Sequence, residues 1–329
     1  MTFCLFLICV ALFSSCEHKD LCYDHEPHIP NTHYQLKLSF ECEWEYNIED
    51  NVDWEQCWKE EYGISYEDIC PKEPEGVRVH IYNDKEHSET VRELDRYNSS
   101  IYFHNEGYYN VLFYNNDTEY ITFTGMESFS NAYASTRGSQ SRGGVMNAPD
   151  MLFGAYLDSM YVERSAEKDT MQVILRPLVF TYLLRFEASE GAELIKSAGG
   201  TLTGMAAGVS LGNGHTSSQE GALTFQCDMK GDYGTQGLIR SFGIPDYPNP
   251  HYASRGENEK ERKHELYLQV QLINGNSESF KFDITEQMIK QPRGGVILIE
   301  DLKIGRNSNE GAFDVGVEGW GNSIDVPLN

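Results

Sequence analysis

The chain has 329 residues, too many for one small domain and about right for two. Hydrophobic residues make up 40% of it, which excludes a disordered chain, and 20 Tyr with 16 Phe favour strands over helices. Its 51 acidic and 26 basic residues leave a net charge of −25, which argues against nucleic acid as a partner and against attachment to anionic lipid through charge.

The N-terminus offers another route to a membrane. Phe3 to Phe13 is an unbroken apolar run, too short to span a bilayer, which needs about 20 apolar residues. It fits the core of a secretory signal over residues 1–15, with small residues Ser14 and Ser15 standing before Cys16. That order predicts cleavage before Cys16 and acylation of its thiol. The competing reading is an ordinary signal peptide with an incidental Cys. Phe13 stands where Leu is usual, and no Lys or Arg precedes the run. Residues 16–33 are polar, carry Pro27 and Pro30, and read as a lipidated tether. Export permits disulfides, and Cys57 with Cys70 is the candidate pair because the two bracket one short segment; sequence does not fix the connectivity.

Strand signals follow. Leu36, Leu38, Phe40 and Cys42 alternate with polar residues, as do Val77, Val79 and Ile81. Ile101 and Phe103 lead into Asn105-Glu106-Gly107, and Tyr109, Val111 and Phe113 lead out, which predicts a β-hairpin. Tyr120 to Thr124 is a further strand, and Asn131 to Asn147, rich in Ser, Gly and Arg, predicts a loop. Between the first two signals, Glu41 to Glu75 holds thirteen acidic residues, two lysines and Trp44, Trp54 and Trp58. Trp54, Cys57, Trp58 and Tyr62 lie at helical spacing. This segment is either a loop whose aromatics cap the body, or an exposed aromatic platform for a sugar or partner protein.

A second set of strand signals begins near Met171. Val173 to Phe186 is long and β-rich, and Pro177 inside it marks an edge, a bulge or two strands. Leu202–Leu211, Ala222–Asp228, Gly237–Ile244, Leu266–Ile273, Phe280–Ile284, Val296–Ile304 and Ser323–Leu328 continue the series, separated by Gly and Asn turns. Short strands at this spacing predict an all-β fold of two β-sandwiches, residues 34–165 and 166–329. Ile324, Val326 and Leu328, in a segment with Pro327, form a closing strand that either exchanges between subunits or completes the second sheet.

Sites for chemistry are few. Gly208-Val-Ser-Leu-Gly212 matches the serine-hydrolase elbow, but Asn-Gly-His-Thr-Ser-Ser follows it where the elbow needs a helix. His25, His28 and His33 are interrupted by Pro27 and Pro30, and Asp50, Asn51, Asp53 and Glu55 lack the sharp-turn Gly of a calcium loop. Neither cofactor nor metal nor catalytic residue is assigned, and a non-enzymatic chain is expected.

The mature start, Cys16-Glu-His-Lys-Asp-Leu-Cys-Tyr-Asp-His25, resembles the opening of a family of Bacteroidales lipoproteins related to fimbrillins and their anchor subunits. Val111-Leu-Phe-Tyr-Asn-Asn-Asp-Thr-Glu119, Leu202-Thr-Gly-Met-Ala and Phe313-Asp-Val-Gly-Val-Glu-Gly-Trp320 with Ile324-Asp-Val-Pro-Leu328 agree in order. The stretch from about residue 46 to 73 looks like an insertion. The resemblance implies two tandem transthyretin-like sandwiches and an outer-membrane lipoprotein facing the extracellular side. It also implies fimbrial subunits or other surface proteins as partners, met by adding a β-strand to an open sheet edge. The expected role is a fimbrial anchor or accessory subunit. The alternative is a surface glycan-binding lipoprotein using Trp44, Trp54 and Trp58.

Overall fold

The computed structural model describes residues 32–42, 45–47, 52–53, 58–83, 88–95, 99–137, 144–165, 167–231, 233–247 and 262–305. Cys16, Cys57, Trp44, Trp54 and the closing strand with Ile324, Val326 and Leu328 lie outside them. Among the described residues twenty strands appear in chain order. The first twelve are β1 (Thr32–Phe40), β2 (Glu45–Asn47), β3 (Val52–Asp53), β4 (Gly76–Asn83), β5 (Ser88–Asp95), β6 (Ser100–Phe103), β7 (Gly107–Asn115), β8 (Ile121–Thr124), β9 (Tyr133–Thr136), β10 (Val145–Met146), β11 (Phe153–Val162) and β12 (Asp169–Pro177). The others are β13 (Phe180–Glu190), β14 (Ile195–Ala206), β15 (Gly208–Ser210), β16 (Glu220–Lys230), β17 (Gly234–Ser241), β18 (Glu265–Leu272), β19 (Ser277–Asp283) and β20 (Gly295–Lys303). Among the described residues there are two short α-helices, α1 (Tyr66–Ile69) and α2 (Thr285–Lys290). The fold is all-β, as expected, and no helix among the described residues is long and apolar enough to cross a membrane.

Seven strands run in the order β5-β4-β7-β11-β12-β1-β6. β11 and β12 meet only at Phe153–Pro177 and Gly154–Arg176, so the path folds there into a four-strand layer facing a three-strand layer. Val79, Val111 and Phe113 from one layer close on Leu36, Ile101 and Leu175 from the other. Across the core Phe40 meets Phe153 edge-on at 5.7 Å, a favoured aromatic geometry. The second body repeats the plan. Its path β19-β18-β14-β16-β17-β13-β20 folds where β16 and β17 share only Cys227–Lys230 with Gly234–Gly237, and Phe186 stacks on Phe225 at 6.1 Å.

Several expectations change. β6 and β7 are not a hairpin: β6 pairs with β1, and β7 with β4 and β11. The chain instead crosses from layer to layer through His104–Glu106, with Phe103 and Tyr109 4.6 Å apart inside the core. Both strands have one face in the same core, which produces the alternation of a hairpin without its ladder. The apolar run Val173–Phe186 is two strands. β12 lies in the first sandwich, so the crossing comes at Leu178–Val179, beyond the expected residue 166. Pro177 ends β12, where a missing N–H does least harm. Asn131–Asn147 is more than a loop, since β9 and β10 lie within it.

Those two strands join the halves. β8, β9 and β15 form a three-stranded sheet in which β15 comes from beyond the crossing. β10 pairs in parallel with the start of β16. Leu112, Tyr114, Ala134, Leu178, Ala206, Val209 and Phe242 make one apolar cluster across the joint.

Candidate functional site

A protein that binds others by strand addition needs an accessible sheet edge. In the first sandwich the end strands β5 and β6 approach each other, and the seam is closed by side chains. The Arg92 guanidinium lies 4.3 Å over the Tyr102 ring and donates to its hydroxyl. Ser99 fixes the corner by donating to the Asp95 carbonyl at 2.6 Å. β5 went unseen in the sequence because an edge strand, Ser-Glu-Thr-Val-Arg-Glu-Leu-Asp, buries little and alternates weakly.

In the second sandwich the end strands are β19 and β20. β19 alternates exposed and half-buried residues and carries Glu278, Lys281 and Asp283. Lys281 binds Glu265 at 2.9 Å, and this partner lowers the Glu265 pKa. At one end of the seam, Glu278 accepts the Gly305 N–H at 3.1 Å. At the other end stands α2. From it the Gln287 amide donates to the Leu298 carbonyl and accepts the Leu298 N–H, both at 2.9 Å. Gln291, just past the helix, does the same for Val296 at 2.9 and 2.6 Å. The outer edge of β20 is thus covered by two glutamine amides. The sequence shows only Gln at positions four apart, and nothing local marks them.

The outer face of β13 and β20 is covered by residues 58–70 of the acidic, Trp-bearing stretch. Phe180, Leu183 and Val296 meet Tyr66 and Ile69 of α1, with Trp58, Tyr62 and Ile64 beside them. Ser65 caps α1 through the Asp68 N–H at 3.2 Å. The Trp58 indole N–H donates to the Ile64 carbonyl at 2.8 Å, and its ring lies 4.9 Å from Tyr62 and 5.7 Å from Tyr66. Among the described residues the helical spacing noticed in the sequence gives way to extended backbone at Lys59, a single 3-10 turn at Glu60–Tyr62, and then α1. Gly63 passes over Tyr233 and Arg185, whose guanidinium stacks 3.7 Å over the Tyr233 ring.

Two motifs acquire structural explanations. Ser210 ends β15, and its N–H donates to the His215 carbonyl; a turn, not a helix, follows. Gly208 is required because a Cβ there would strike the Ala134 carbonyl and the Tyr133 ring across the joint. On the outer face of β4, His80 Nδ1 lies 2.5 Å from Glu89, and Tyr114 lies 2.9 Å from Nε2. With Nδ1–H donating to the carboxylate and Nε2 accepting the phenol proton, the neutral ring is fully satisfied. Burial lowers the His80 pKa and pushes Tyr114 up to about 12. Tyr114 is 1% exposed, so its hydroxyl is both protonated and out of reach of a substrate. Among the described residues no three His, Cys, Asp or Glu side chains converge as metal ligands.

Residues 63–226 match a family described as a domain of unknown function, DUF5119. That span begins just before α1 and ends in β16, so it includes the joint between the halves. A Bacteroides ovatus protein named "Putative fimbrium anchoring subunit Fim4B" is 24% identical over 300 residues, covering 81% of this chain and 89% of its own. The crystal structure of "a putative adhesin" from Bacteroides ovatus has a TM-score of 0.58 at 21% identity, covering 84% of this chain and 95% of the other, and shares its fold. The fimbrial anchor protein Mfa2 from Porphyromonas gingivalis is 10% identical with a TM-score of 0.47, covering 82% and 90%. The chain is therefore similar over most of its length to one protein named as a fimbrium anchoring subunit, shares the fold of a Bacteroides ovatus adhesin, and matches DUF5119 over residues 63–226.

Proposed function

We propose that this chain is a non-enzymatic fimbrial subunit, an anchor or accessory protein, held at the outer membrane by a lipid on Cys16 and facing outward. The observation that carries the reading is similarity to a fimbrium anchoring subunit along 89% of that protein's length. The apolar run ending at Ser14-Ser15-Cys16 supports the lipid, since a single cleavage there leaves an N-terminal Cys to acylate. β19, an end strand of its sheet among the described residues, supports a docking role, because a sheet edge accepts an extended partner through backbone hydrogen bonds. Ile324, Val326 and Leu328 are the proposed donor strand, and fimbrial subunits are the proposed partners. Cys57 and Cys70 remain the proposed disulfide.

Metabolic labelling with a palmitate analogue tests the anchor: the parent takes up label in the envelope and Cys16→Ala does not. Equal labelling of both rejects the lipid at Cys16. Truncation after Trp320 tests the donor strand, and normal fimbrial assembly by the truncated chain rejects it. The glycan-binding alternative through Trp44, Trp54 and Trp58 has less support, because the Trp58 indole is engaged by Ile64, Tyr62 and Tyr66.

A further inference from the structure

An antiparallel sheet commonly turns one face to a core and the other to water. In the first sandwich the outward residues of β4 and β5 suit a solvated face: Arg78 pairs with Glu93 and His80 with Glu89. The second sandwich differs. The layer β19-β18-β14-β16 buries Leu202, Leu223, Phe225, Leu268 and Val270 on one face, so the residues between them point outward. Register sets these in rows. Thr201 lies between Tyr267 and Thr224, and Gly199 between Gln269 and Gln226, with Ser279 beyond Gln269; Ser197 stands beside Gln271. Apart from the gap at Gly199, every side chain in the rows is uncharged and able to hydrogen-bond. The gap has a use. A Cβ at Gly199 would crowd the Phe225 carbonyl at 2.9 Å and the Gln226 Oε1 at 3.0 Å, so the glycine leaves room for that amide to lie low across β14. Ser197 donates to Gln271 at 3.2 Å, and the Tyr267 hydroxyl donates to Glu265 at 2.7 Å. Thr201, Thr224, Gln226, Gln269 and Ser279 have no side-chain hydrogen-bond partner among the described residues. The register of β14 shifts at Ile195/Ser197 and at Leu202/Met205, and between them the ladder is regular, so the array stands on rigid strand backbone.

We propose that this face binds a neutral oligosaccharide. Its amides and hydroxyls each donate and accept, which matches the hydroxyls of a sugar, and Tyr267 adds an apolar surface at one end of the array. Charge excludes the other ligands. The charged residues at the borders are two cations, Lys196 and Lys281, and three anions, Asp228, Glu265 and Asp283, and Lys281 is bound to Glu265 at 2.9 Å. The inner rows carry no charge to hold a basic ligand, and the −25 of the whole chain repels an acidic sugar or a nucleic acid. A protein interface centres on aromatic and aliphatic anchors, and a membrane contact on an apolar face; the inner rows have one aromatic residue and no aliphatic one. The face belongs to the layer opposite the one that Trp58 covers, so it is separate from the tryptophan stretch. It does not depend on the fimbrial reading.

An array of neutral hexose and N-acetylhexosamine oligosaccharides, set beside uronate and sulfated ones, tests this with the full chain. The parent binds at least one neutral oligosaccharide and no acidic one, and binds equally at about 0.05 and about 0.5 M salt. Gln226→Ala/Gln269→Ala weakens that binding on the order of tenfold or more, as the loss of about two hydrogen bonds requires. Both side chains are exposed, so the urea midpoint of this variant stays that of the parent. Thr224→Val keeps the shape and removes only the hydroxyl, and it weakens binding severalfold without touching the glutamines. Trp58→Ala leaves binding unchanged. Three results overturn the proposal: no neutral oligosaccharide bound by the parent, binding that follows acidic groups, or full binding by the glutamine variant.

Discussion

Met146 fills the space that a side chain at Gly221 would need. A Cβ built on Gly221 would overlap the Met146 thioether, and Met146 is 2% exposed within the core of the second sandwich. Met146 precedes β11 and β12 of the first sandwich, so a residue from before the crossing completes the core beyond it. The pairing of Val145 with Ala222 and of Met146 with Leu223 holds it there.

Gly221→Val should expel Met146 and destabilise the chain by about 1–3 kcal/mol through overpacking. Met146→Ala alone should cost about 2–5 kcal/mol by leaving a cavity. The double variant should cost clearly less than the sum, because the new side chain enters the space the old one leaves. Urea unfolding of the four proteins measures this; strict additivity would show that the two residues do not share one space.

Gly208→Ala should be worse than Gly221→Ala. At Gly208 the obstacle is the Ala134 carbonyl, which is backbone, whereas at Gly221 it is a flexible thioether. The expected result is loss of protection at the Leu211 amide, which donates to the Ala132 carbonyl, and at Thr136, which donates to Ala207. Hydrogen exchange confined to these joint amides checks it.

Stability should fall as pH drops through about 6.5. Burial lowers the His80 pKa against the pull of Glu89 and Glu93, with Arg78 adding to the lowering. The unfolded ring takes a proton near 6.5 and the folded ring only below that, so between the two the unfolded state binds more protons. His80 therefore contributes fully above about 6.5 and loses its contribution as pH falls toward the folded value. His264 is shifted in the same direction by burial. Glu265 and Asp283, whose pKa values are lowered, lose theirs only in more acidic solution. Urea midpoints at about pH 7.5 and about 5.5 should differ for the parent and differ less for His80→Gln.

Trp58→Ala should cost about 2 kcal/mol, below the range for a fully buried Trp because this indole is only partly covered. It should also uncover the face formed by Phe180, Leu183 and Val296. Greater dye binding and faster proteolysis within residues 58–70 are the readouts. Unchanged proteolysis would show that residues 58–70 are held by other contacts.

Cys227 should resist alkylation at about pH 8 until the chain is unfolded. Burial pushes its thiol up to about 12, and only the thiolate reacts. Mass-spectrometric labelling with and without urea measures the difference.

The sequence alone determined what depends on near neighbours. Alternation at Val77, Val79 and Ile81 or at Leu266, Leu268 and Val270 identifies strands, because one face of each lies in a core. The all-β class follows from the same local signals, while Pro177 left an edge, a bulge and two strands open. Where a strand buries little, as at Glu89 and Glu93 in β5, or is only two residues long, as at Val145–Met146, the signal disappears.

Only the tertiary structure decided which strands meet and who covers whom. Ile101 and Tyr109 look like the arms of a hairpin, yet their strands lie in opposite layers, since alternation reports burial and not pairing. Gly208 and Gly221 became intelligible once Ala134 and Met146 arrived from the other half. Gln287 and Gln291 matter only because β20 lies beside them, within hydrogen-bond reach. A chain encodes its own periodicity residue by residue, but contacts between distant segments arise from packing, where shape and unsatisfied backbone groups select partners that sequence order does not record.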